Sequence, residues 1–180
     1  HSFKSSVLRN SSFYFKPSVS WSDITISHNS FREYDAGFIH SNVGHSAFGG
    51  DSDWRLSLLA YCNTNFVGLA TKLLSPTVHF DVGYFNNLPY AKKAWTSGSK
   101  EIAKACVAVA RKDWDAYEVS WGFQSLPLLT ASSEEALTLE SSYTAWITQN
   151  RATIDEIKLL EEENNRLFID AYGLTDELTP

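Results

Sequence analysis

The chain has 180 residues, 43% of them apolar and 14% aromatic, enough to fill the core of one domain or of a domain with an extended appendage. Its apolar runs fall far short of the roughly 20 residues that span a bilayer, and no basic-then-apolar leader opens it, so a membrane-spanning helix is excluded and a soluble, cytoplasmic protein is expected. The net charge of −6 hides a division: residues 1–112 hold 12 Lys/Arg against 7 Asp/Glu, and residues 113–180 hold 3 against 14.

In chain order, "FYFKPSVSWSDITI" (13–26) sets Phe13, Phe15, Val19, Trp21, Ile24 and Ile26 in broken alternation, the pattern of short strands with Pro17 at an edge or bulge. "HNSFREYDAGFIHSNVGHSAFGG" (28–50) continues with aromatic, polar and glycine-punctuated residues, which predicts strands joined by exposed loops. Asp51, Ser52 or Asp53 then caps a helix, and "WRLSLLAYC" and "NTNFVGLATKLL" form two helical segments with a joint at Asn63-Thr64-Asn65, ended by Pro76. Val78, Phe80 and Val82 alternate with Thr77, His79 and Asp81, predicting a strand whose Phe80 and Val82 bury against the helices and which serves the scaffold, a reading role for His79 being the less favoured alternative.

Ser99 or Gly98 opens a further helix from Lys100 to about Lys112, with Ile102, Ala105, Cys106 and Val109 inward. From about Ser133 to Tyr172 neither proline nor glycine occurs, and apolar residues recur at three-four spacing, predicting one long helix or a helical hairpin stopped by Gly173. Asn150, Glu161 and Asn164 interrupt that seam, which favours docking on another surface over a self-pairing coiled coil. The fold class is α+β: a small mixed β-sheet with packed helices over residues 1–98, a helix and aromatic connecting segment over 99–132, and a long C-terminal helical region over 133–180.

The histidines and cysteines have no metal-ligand spacing, and Cys62 and Cys106, in apolar helical settings, are small buried hydrophobes rather than a disulfide pair. "GHSAFG" (44–49) has one residue too many for a hydrolase elbow and leaves Ser46 an ordinary loop serine. "DEIK" (155–158) lies within an amphipathic helix and is a solvated face, and no phosphate-cradling glycine loop occurs. Trp114, Trp121 and Phe123 are expected to pack between the domain and its long helix. Methionine is absent, and the chain is expected to be a piece of a longer protein.

"LLAYCNTNFVGLATKLLSPTVHFDVGYFNNLPY", together with "VSWSDIT", "SFREY" and "AGFIHSNVG" upstream, resembles the target-recognition domain of TaqI-like adenine-specific DNA methyltransferases. "ARKDWDAYEVSWGFQSLPLL" and "EENNRLFIDAYGLTDELTP" resemble the narrower group of PglX-like methyltransferases of BREX phage-defence systems. The prolines stand alone, so the Asn/Asp-Pro-Pro-aromatic motif of such enzymes is missing, as is their glycine-rich S-adenosylmethionine loop. The resemblance therefore implies a DNA sequence-recognition module that is not itself an enzyme. No cofactor is expected in this fragment, S-adenosylmethionine being that of the parent enzyme. Its expected partners are double-stranded DNA, the catalytic methyltransferase domain of the same parent chain, and other defence-system proteins.

On that reading His28, Asn29, Ser30 and Arg32 in the first loop, with Asn42 and His45 in the next, are candidate DNA contacts, and Lys72, Lys92 and Lys93 candidate phosphate partners. Each has an alternative: Arg32 pairs with Glu33 or Asp35 or braces its turn, the lysines are solvated, and the others are plain loop residues. The competing function is a protein-interaction domain that docks a partner through its long helix.

Overall fold

The computed structural model describes residues 9–131 and 138–180. The chain divides into two compact units, the first ending at Thr96 and the second beginning at Ser97.

In the first unit, strands β1 (Ser18–Ser22), β2 (Arg32–Tyr34) and β3 (Gly44–Ala47) form a sheet of order β2-β1-β3 with antiparallel pairings. Side chains alternate across a pleated sheet, and the register places Glu33 opposite Val19 and His45 opposite Trp21. Arg55 of helix α1 (Ser52–Cys62) reaches Glu33 at 3.4 Å, so this face is the one that α1 covers. Val19 and Trp21 are buried there. Trp21 is the hub: its ring stacks on Phe85 at 4.4 Å between centroids, touches Phe31 and Phe80, and donates its indole N–H to the Phe80 carbonyl at 2.9 Å. Ser20 and Arg32, opposite each other in the register, belong to the other face.

The helices begin where side chains satisfy orphan backbone donors. The Asp51 carboxylate accepts from Trp54 N at 2.9 Å to open α1. Thr64 both donates to the Tyr61 carbonyl (2.8 Å) and accepts from Val67 N (3.2 Å), which breaks the run and restarts it as α2 (Asn65–Leu74). Tyr61 then donates its hydroxyl to the Pro89 carbonyl at 2.7 Å, holding the chain's exit beside α1.

The expected strand over 77–82 is corrected. Only a bridge of His79 to Ile24 has β pairing, and α3 (Val82–Asn86) follows at once. Asp81 decides this: its carboxylate accepts from Gly83 N (2.7 Å) and Tyr84 N (3.2 Å), capping a helix where a strand residue would leave those donors to a neighbour. Phe80 is buried as expected, whereas Val82 is 42% exposed.

In the second unit, α4 (Ser97–Trp114) packs along α6 (Leu139–Tyr172), which the short α5 (Pro127–Thr130) also contacts. From Leu139 onward the seam is one helix of 34 residues, about 51 Å long; the expected start near Ser133 lies outside the described residues. Thr138 and Ser141 form a reciprocal capping box at its start, and Gly173, at φ 70°, ends it in the left-handed region where a Cβ is disfavoured. The buried face lies toward its C-terminus, on Asn164, Asn165, Phe168 and Ile169. The expected packing of Trp121 is corrected: the ring is 94% exposed, and Trp114 is 58% exposed. Between them the chain closes on itself, Ser120 donating to the Asp115 carboxylate and Gly122 N to the Ser120 hydroxyl, and this turn leaves the indole outside.

Candidate nucleic-acid interface

The register brings separate connections to one end of the sheet. Ser22, the last residue of β1, pairs with Gly44, the first of β3, and Arg32 opens β2 opposite Ser20. The 23–31 loop therefore leaves and returns at this end. The 35–43 connection starts at the far end and travels back along the sheet. His40 passes within 3.1 Å of the Ser18 hydroxyl, and Val43 arrives beside Asp23, accepting from its N–H at 2.9 Å. Residues 75–81 join them, through Thr25 N to the Val78 carbonyl (3.0 Å) and Phe80 N to the Asp23 carbonyl (2.7 Å).

Two side chains hold this end together. Asp23 Oδ2 lies 3.0 Å from His79 Nδ1, and its Oδ1 lies 3.5 Å from His45 Nε2. The hydrogen bond from His79 holds the Asp23 carboxyl below the ordinary carboxylate value, against the opposing effect of burial, and His45 adds to the lowering. Asn63, at the joint of α1 and α2, accepts from Phe31 N (3.1 Å) and donates to the carbonyls of Phe31 (3.0 Å) and Leu59 (3.1 Å). The returning end of the 23–31 loop is thereby tied to the helical layer, with the Phe31 ring buried beneath it.

Sequence reasoning missed both anchors. Asp23 interrupts an otherwise alternating apolar run, the one local sign that β1 ends there. Asn63 gave a helix joint but no partner, because Phe31 is 32 residues away.

Of the candidate contacts, His28, Ser30 and Asn42 are exposed at this end, and Asn29 and His45 are half-buried there. The His28 ring lies against α2, its Nδ1 3.7 Å from where a Cβ on Gly68 would stand. Asn29 Oδ1 is buried without a hydrogen-bond partner among the described residues. Arg32 is exposed at the start of β2, on the face away from α1, and Glu33 is engaged by Arg55 instead. Lys72 is exposed in the last turn of α2 and Lys93 in the 3-10 turn Lys92–Ala94; the Lys92 side chain lies outside the described part. The structure thus gathers the loop residues, while the lysines belong to other elements.

Charge divides less sharply by unit than by chain half. Residues 1–96 hold 8 Lys/Arg against 6 Asp/Glu, and residues 97–180 hold 7 against 15. The difference arises because Lys100, Lys104, Arg111 and Lys112 belong to α4. The first unit is thus close to neutral, and its loop end carries polar side chains rather than a strongly basic surface.

At the Gly49–Gly50 turn between β3 and α1, a Cβ at Gly50 would meet the Trp54 side chain at 2.4 Å. Among the described residues no group of His, Cys, Asp and Glu is arranged to hold a metal ion, and no helix is long and apolar enough to cross a membrane.

No protein-family model matches the chain. Over 173 residues, 95% of its length, it is 36% identical to the adenine-specific methyltransferase PglX of Lacticaseibacillus casei (strain Zhang). Over 175 residues, 96% of its length, it is 24% identical to the adenine-specific methyltransferase BrxX of Escherichia coli O9:H4 (strain HS). The chain spans 14% of the length of each of these relatives.

Proposed function

We propose that this chain, which is homologous to the C-terminal region of PglX-like adenine-specific methyltransferases, is the DNA sequence-recognition module of such an enzyme in a restriction-modification or BREX-type phage-defence system. The observation that carries this reading is the convergence of the 23–31 loop, residues 41–43 and residues 75–81 on one end of a small sheet, fixed by Asp23 and Asn63. Loops held on a rigid scaffold are the usual seat of recognition.

In this reading His28, Asn29, Ser30, Arg32, Asn42 and His45 face base edges or the adjoining backbone, and Lys72, Lys92 and Lys93 meet phosphates. Residues 1–98 are the recognition domain, 99–132 connect it, and 133–180 form a helical arm. The remainder of the parent protein supplies S-adenosylmethionine and the methyl transfer, and the whole acts in the cytoplasm. A second reading, a protein-interaction module, is favoured by one feature: α6 exposes Leu139, Tyr143 and Ile154, which share one side of the helix, each by more than half. An apolar stripe of this kind suits a helix that docks on a partner surface.

Duplex titration of the full-length protein at several salt concentrations separates the two. Recognition predicts binding that depends on sequence and weakens with salt, by roughly 0.9 logarithmic units per tenfold salt for each phosphate contact. An interaction module predicts binding indifferent to sequence, or none.

A further inference from the structure

We propose that His79, held by Asp23, is itself a base-reading side chain, presenting its ring Nε2 to an exocyclic amino group in the major groove. This rests on the recognition reading above and goes beyond it in assigning a reader outside the two sheet loops, together with the hydrogen-bond pattern it reads.

His79 stands on the 75–81 segment, at the loop-bearing end of the sheet, and its side chain is 56% exposed. Its Nδ1 lies 3.0 Å from Asp23 Oδ2. An ionised carboxylate only accepts hydrogen bonds, so the ring hydrogen sits on Nδ1, and in the neutral ring Nε2 is left as an acceptor. No group among the described residues takes that atom. The backbone around the ring is fixed on both sides: Ser75 Oγ donates to the His79 carbonyl at 2.6 Å, and His79 N donates to Thr77 Oγ1 at 3.2 Å. Asp23 is in turn seated by its own backbone bonds to Val43 and Phe80.

With the ring neutral, the imidazole is an exposed acceptor of set orientation on a braced segment, which is what reading a base edge requires. The major-groove complement of an acceptor is N6 of adenine or N4 of cytosine. His45, half-buried, lies 3.5 Å from the other oxygen of the same carboxylate.

The test uses the full-length methyltransferase and a pool of randomised duplexes, comparing the wild-type protein with His79→Asn. The asparagine amide nitrogen takes the place of Nδ1 and keeps the contact to Asp23, but nothing replaces Nε2. The expected result is that preference for adenine or cytosine at one position of the selected sequence falls about 10-fold, with the other positions and the melting temperature held. Unchanged selection, or a loss spread evenly over all positions, would overturn the assignment while leaving the recognition reading in place. A wild-type protein that selects no sequence would overturn the recognition reading and this inference with it.

A measurement on the wild-type protein guards against a variant that does not fold. Selected duplexes that lack the amino group of that one base should bind about 10-fold more weakly. Equal binding for removal of each adenine and cytosine amino group in turn would refute the proposal.

Discussion

Replacing Asn63 by alanine tests whether the loop end is held as described. The amide makes three hydrogen bonds, two to the Phe31 backbone and one to the Leu59 carbonyl, at 3.0–3.1 Å. At about 1 kcal/mol net for each such bond, and with part-buried partners left wanting, Asn63→Ala should cost about 2–3 kcal/mol. For a urea dependence of 1–3 kcal/mol per molar, that is a midpoint shift of roughly 1 M. Amide hydrogen exchange at Phe31 should quicken well before global unfolding, because the tether of the loop is what is lost. Asn63→Asp should do no better: it keeps an acceptor for Phe31 N but turns carboxylate oxygens toward the carbonyls of Phe31 and Leu59. A midpoint within about 0.3 M of the unsubstituted chain, with Phe31 exchange unchanged, would refute the claim that this side chain anchors the loop.

Phe168 is fully buried in the second unit, so Phe168→Ala should destabilise that unit by about 3–5 kcal/mol, seen as an early transition in denaturant. The Asp23 carboxyl is held below its ordinary value, so its contribution is present above that value and is lost as pH falls through the lowered one. The stability gap between the unsubstituted chain and Asp23→Asn should hold from neutral pH to about pH 4 and close below it; an equal gap at pH 3 would contradict this. Burial pushes the Cys62 thiol far up and, with the nearby charge of Glu161, raises Cys106 as well. At pH 8 Cys62 should resist iodoacetamide in the folded chain, and half-buried Cys106 should react more slowly than a free thiol, by mass spectrometry of the alkylated peptides.

Local signals were legible where local chemistry decides the structure. The break between α1 and α2 follows from Thr64 bonding to Tyr61 and Val67, three residues away on either side. The end of α6 follows from Gly173. The alternation over 77–82 misled because period two is a weak signal over six residues, and the Asp81 cap outweighed it. The anchors of the candidate site were not legible for a different reason. Asp23 and His79 are 56 residues apart, and only the β1–β3 register and the Ile24–His79 bridge bring His45 and His79 to the same carboxylate. Trp121 shows the converse limit: its residue type argued for burial, but the turn closed by Asp115 and Ser120 sets it outside.

The central claim is that the exposed loop end sets which DNA sequence the parent enzyme modifies. Methylome sequencing of a host carrying the full gene, with and without the combined changes His28→Ala and Asn42→Ala, tests it most directly. Both residues are exposed in the structure. The account predicts that the methylated sequence is relaxed or lost at an unchanged protein level. The same sequence methylated to the same extent would contradict it.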